Sequence, residues 1–174
     1  MRQAHLAAYP QPVPNYYLGY RVCGYSATGA LPECWEVRIL ENSVAGPERV
    51  YDSPEHFGPR WAGETEALDR LILGIGSRVG DALVQLGADP ATIPQTIQNL
   101  ISHLYATLFV PAMPIQDAID LAHFLAETAA KFAHFSMRAT TIGGPIEIAT
   151  ITKHEGFKWV KRKHYFSSEL NPGG

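Results

Sequence analysis

A chain of 174 residues fits a single domain and is long enough to bury an ordinary core. Apolar residues supply 46% and charged residues 18%, a balance that excludes an intrinsically disordered chain. The net charge of −3 and a pI of about 6.1 exclude a global basic field for nucleic acid or anionic membrane, and no apolar run approaches the roughly 20 residues of a membrane helix.

The first 14 residues, MRQAHLAAYPQPVP, have no apolar core of a secretory leader and contain three prolines, so they read as an arm on a cytoplasmic protein. A hairpin is expected next. Residues 17–26 and 34–40 are rich in aromatic and β-branched side chains, and residues 27–32 between them carry Thr28-Gly29 and a proline. In the second strand Trp35, Val37 and Ile39 share a face expected to be buried, and Glu36 and Arg38 share a wetter one. A turn centred on Thr28-Gly29 would set Cys23 opposite Cys34. In a reducing compartment these are expected to be two buried thiols rather than a bond. Residues 41–62 read as connection, with a short strand near 49–51.

In ETEALDRLIL (64–73), Ala67, Leu68, Leu71 and Ile72 recur at helical spacing, with Glu66 and Arg70 paired on the other side. Glycines 74, 76 and 80 loosen the next stretch, and residues 81–86 resume a helix. Asp89-Pro90 and Thr92-Ile93-Pro94-Gln95 carry helix-start chemistry, with Gln95 at capping-box distance from Thr92. The helix they open runs to Leu104 with Ile97, Leu100, Ile101 and Leu104 on one face. Residues 115–136 form the clearest helix: Ala118, Leu121, Ala122, Leu125, Ala129 and Phe132 make an apolar stripe that suits a sheet or another helix, and a sheet is the expected neighbour. Asp120, His123, Glu127, Lys131 and His134 make the opposite face. Gly143-Gly144-Pro145 then breaks the chain before a closing hairpin, PIEIATIT and FKWVKRK around a Lys153-His154-Glu155-Gly156 turn.

Three stretches, YRVCGYSATGALPECWEVRI, MPIQDAIDLAHFLAETAAKF and IGGPIEIATITKHEGFKW, resemble the later part of the proteasome-type N-terminal nucleophile hydrolases. The resemblance covers residues 15–163, with a poor fit over 74–112. It implies an α+β fold in which two antiparallel sheets lie between helical layers, α-β-β-α, and an activity that cleaves peptide or amide bonds. It also implies a nucleophilic Thr, Ser or Cys at a free amino terminus, which acts as its own base, and a lysine early in the chain. This sequence opens Met1-Arg2, has no Thr, Ser or Cys before Cys23, and has no lysine before Lys131. The expectation is therefore a partial sandwich lacking the amino-terminal strands: the carboxy-terminal portion of such a hydrolase, or a reduced form, inactive as this chain. The expected division is a proline-rich arm (1–14), one α+β domain (15–166) and a disordered tail (167–174). The expected partners are like subunits or further copies of the chain, with a peptide or protein substrate for a complete enzyme. No membrane, nucleic-acid or cofactor partner is expected, and no catalytic, cofactor-binding or metal-ligating residue is assigned. The final hairpin is expected to keep a strand edge exposed or to self-associate through it. A binding or assembly module of α+β fold, with a basic strand edge and no catalysis, is the alternative.

Three other constellations have plainer readings. Gly74-x-Gly76-x-x-x-Gly80 lacks the preceding strand and distant acid of a dinucleotide site, and reads as a helix-breaking loop. His123 and Glu127, one turn apart, could reach one ion, but His134 lies about 10 Å further along the axis, so the trio reads as a solvated helix face. Lys153, His154, Lys158, Lys161, Arg162, Lys163 and His164, with Phe157 and Trp159 interleaved, could stack bases. The two rings share a strand face expected to be core, and lysines on a strand edge guard against stray pairing.

Overall fold

The computed structural model describes residues 18–29, 31–39, 43–50, 58–136 and 142–163. It is α+β, with two antiparallel sheets and four helices. The expected arm at 1–14 and tail at 167–174 lie outside the described residues, as do Tyr17, Leu40 and Tyr51. The described residues divide into two compact units. One holds those before position 51 with Ile151–Gly156; the other holds those from Gly58–Thr150 and from Phe157 onward.

The first unit is a three-stranded meander, β1 (Leu18–Gly24), β2 (Glu33–Ile39) and β3 (Val44–Arg49), in the order β1-β2-β3. β1 and β2 pair without a break from Leu18↔Ile39 to Gly24↔Glu33. The connection turns at Thr28-Gly29, where the Gly29 N–H donates to Ser26 O at 3.1 Å. β3 therefore begins well before the short strand expected at 49–51, and its register on β2 shifts between Glu36 and Arg38. One face carries a ladder of charge: Arg21 lies 3.4 Å from Glu36, Arg38 lies 3.8 Å from Glu36, and Arg38 also bonds Glu48. The opposite face departs from expectation. Trp35 is exposed rather than core, and Arg49, its direct partner in the β2–β3 register, places its guanidinium 5.9 Å from the ring centre. The buried residue of this sheet is Cys34, on the charged face.

In the second unit α1 (Glu66–Leu68) widens at once into a π-helical turn, Asp69–Leu73, which Gly74 ends in the left-handed region at φ 75°. The wider turn rotates the residues after Asp69, so Ala67, Leu68 and Ile72 are buried and Leu71 is exposed, against the four-residue face expected. Asp69 anchors the turn by accepting from Trp61 Nε1 at 2.9 Å and Thr65 Oγ1 at 2.7 Å. α2 (Val79–Gln85) packs on α3 (Ile93–Leu104), and α3 packs on the π-helical turn. The expected capping box does not form. Thr92 Oγ1 donates back to Asp89 O at 2.8 Å, and Gln95 Nε2 bonds Asn99 Oδ1 one turn onward.

α4 (Ile115–Phe135) buries Leu125, Ala129 and Ala133. Leu68, Ile72, Leu125 and Ala129 form the core of this unit, with Trp61, Leu73, Leu108, Leu121 and Ile142 packed around it. The stripe thus lies on α1 and its π-helical turn, not on the sheet expected, because small residues at 129 and 133 admit another helix closely. Each i+4 step rotates the buried line by about 40°, so 125–129–133 turns away from Phe132, which stays 41% exposed.

The chain then enters a hairpin of β4 (Ile148–Thr152) and β5 (Gly156–Lys161). Gly156, at φ 69°, supplies the left-handed residue that closes the turn, and the Glu155 N–H donates to Thr152 Oγ1 at 3.0 Å. β4 and β5 pair only with each other, so among the described residues neither outer edge has a strand neighbour. Phe157 and Trp159, expected in the core, are 55% and 48% exposed, and they meet edge to face at 5.2 Å.

Candidate functional site

The alanine-rich side of α4 does not bury all its surface on α1. Ala118, Leu121, Ala122 and Leu125 line a groove of about 560 Å³ together with Arg60, Trp61 and Phe109. The lining is mostly apolar, so the groove suits an apolar side chain or segment rather than a charged metabolite. Ala118, Leu121, Ala122 and Leu125 were visible in the sequence as part of the apolar stripe, and Ala126 joins them in the lining. Trp61 and Phe109 were not, since each comes from a connection far from α4 in sequence.

A side chain from β5 reaches the opposite face of α4. Lys161 Nζ lies 3.3 Å from His123 Nε2, and Glu127 pairs with Lys131 at 2.8 Å. The hydrogen bond and charge of Lys131 hold the Glu127 carboxyl below its ordinary value, with smaller help from His123 and Lys161. His134 is turned away, edge-on to Phe135 at 4.9 Å. The structure therefore gathers His123, Glu127, Lys131 and Lys161, and leaves His134 out. An ammonium group beside His123 competes with a cation at that ring, and among the described residues no three His, Cys, Asp or Glu side chains converge as a metal site.

Nucleophile chemistry needs a hydroxyl or thiol beside a base. Cys23 donates to Cys34 Sγ at 3.2 Å. Ser102 Oγ lies 3.3 Å from His103 Nδ1, but that nitrogen also bonds Asn99 O at 2.8 Å, on an exposed helix surface. Gly74 and Gly76 end a helix rather than follow a strand, so they form no phosphate cradle.

No family model matches this chain, and searches of curated proteins and of solved structures return no match. The groove, the α4–β5 cluster and the two-stranded hairpin stand as the features from which function is read.

Proposed function

We propose that the chain is the carboxy-terminal part of a proteasome-like N-terminal nucleophile hydrolase fold, without peptidase activity as this chain, and that it assembles with like subunits. One observation carries the reading. A 21-residue helix passes through Gly143-Gly144-Pro145 into a hairpin whose strands pair only with each other among the described residues. A strand edge with no strand neighbour can accept another strand of matching shape through its backbone. β4 is rich in β-branched residues and has no charged side chain, which makes it the more receptive edge.

The test has two arms on the purified 174-residue chain. Peptide substrates with fluorogenic leaving groups should show no turnover, and light scattering should show a mass that rises with concentration. Turnover that follows processing at a specific residue and is abolished by Cys23→Ala or Thr28→Ala would overturn the inactive reading.

A second reading rests on the exposed pair Phe157 and Trp159, with Arg162 held 5.5 Å over the Trp159 ring. It makes the chain a non-catalytic binding module that uses its basic strand. A chain that stays monomeric at all concentrations and loses a partner on Trp159→Ala would favour it.

A further inference from the structure

We propose that Cys23 and Cys34 form a reversible disulfide across β1 and β2, making the first sheet a thiol-oxidation site. The two are direct partners in an unbroken antiparallel register, with pairs on both sides from Leu18↔Ile39 to Gly24↔Glu33. Direct antiparallel partners keep Cα atoms about 4.5–5.5 Å apart, inside the roughly 4.4–6.8 Å span of disulfide-linked residues. Their sulfurs already lie 3.2 Å apart, so closure to a bond of about 2.05 Å asks for side-chain rotation of roughly 1 Å and no strand movement. The residue that follows β3 steadies the pair from the far side, the Val50 N–H donating to Cys34 O at 2.8 Å.

The two thiols are unequal, and that sets the order of events. Cys23 is exposed and Cys34 is buried. Burial first, and the hydrogen bond with Cys23 second, push the Cys34 thiol up to about 11, while Arg21 and Glu36 act on it in opposite directions. Cys34 therefore does not meet the oxidant. The oxidant is a small-molecule disulfide of the glutathione class. Cys23 loses its proton to solvent, its sulfur attacks one sulfur of that disulfide, and the first glutathione leaves as a thiolate. Cys34 then loses its proton to solvent and attacks Cys23 Sγ, and the second glutathione leaves. The chain gives up two electrons, and one glutathione disulfide becomes two thiols.

The experiment treats the folded 174-residue chain with oxidised glutathione and measures mass without reduction. Both cysteines fall in one tryptic peptide, residues 22–38, which is expected to lose about 2 Da and to regain it with dithiothreitol. Cys34→Ser is expected to stop at a stable glutathione adduct on Cys23, and Cys23→Ser to stay unmodified. A wild-type chain that holds the adduct, or links to a second chain instead, overturns the proposal. So does Cys23→Ser reacting as fast as wild type. The wild-type peptide map decides alone if either variant fails to fold. Absence of peptidase activity or of assembly leaves this result untouched, because neither enters the thiol chemistry.

Discussion

Gly74 and Leu104 touch at a separation that only a hydrogen at position 74 permits. A Cβ built on Gly74 would lie 2.5 Å from Leu104 Cβ and 3.3 Å from Leu104 O. The same glycine holds φ 75° as it ends the π-helical turn. A side chain there is disfavoured twice, by about 1–2 kcal/mol for the left-handed backbone and by about 1–3 kcal/mol for overpacking against the end of α3. Gly74→Ala is expected to destabilise the chain by about 2–5 kcal/mol, read from the midpoint of urea unfolding. A change below about 0.5 kcal/mol, the scale of ordinary surface substitutions, would show that the α1–α3 approach is looser than described.

Leu125 and Phe132 test which side of α4 is core. Leu125 is 8% exposed and sits with Leu68 and Ile72, whereas Phe132 is 41% exposed. Leu125→Ala is expected to cost about 2–5 kcal/mol. Phe132→Ala should cost less than half as much, although it removes more atoms. Equal losses in parallel denaturation curves would return Phe132 to the core and overturn the packing on α1.

Glu66 gives the second unit a defined acid sensitivity. Hydrogen bonds from Ser77, hydroxyl first and backbone N–H second, and then from Arg70, lower its carboxyl from 4.5 to about 2. The Ser77 N–H lies 2.9 Å and Arg70 Nε 2.7 Å from the carboxylate. A depressed carboxyl adds stability that is fully present above the unfolded value and is lost as pH falls through the folded one. The Glu66 contribution is thus expected to disappear between pH 4.5 and about 2. Unfolding midpoints of wild type and Glu66→Gln should converge over that window, and a constant difference would contradict the assignment.

Ile151 reports on the hairpin edge. It is exposed in β4, and a lysine on a strand edge opposes pairing with another chain. Ile151→Lys is expected to leave the thermal midpoint within about 2–4 °C, the shift produced by 1 kcal/mol or less, and to reduce concentration-dependent association. Association unchanged in light scattering would place the contact elsewhere.

The sequence by itself determined the local order. Period-2 alternation in 33–39, the apolar recurrence of 115–135 and the Gly-bounded hairpin at the end follow from side-chain spacing and turn chemistry, although the first strand of that hairpin begins at Ile148 rather than at Pro145. The pairing of the cysteines was also legible, because a turn at Thr28-Gly29 fixes the register that sets Cys23 against Cys34, but the burial expected for both holds only for Cys34. Only the tertiary structure decided which faces are covered. Nothing in ETEALDRLIL marks the π-helical turn that expels Leu71, and nothing near Trp35 shows that Arg49 will cover it. The stripe on α4 states that an apolar neighbour exists, not that it is α1, since hydrophobic attraction is non-directional and the partner is chosen by chain geometry. The groove beside Trp61 and Phe109 has the same origin. Its walls come from separate connections and become neighbours only when α1 and α4 pack.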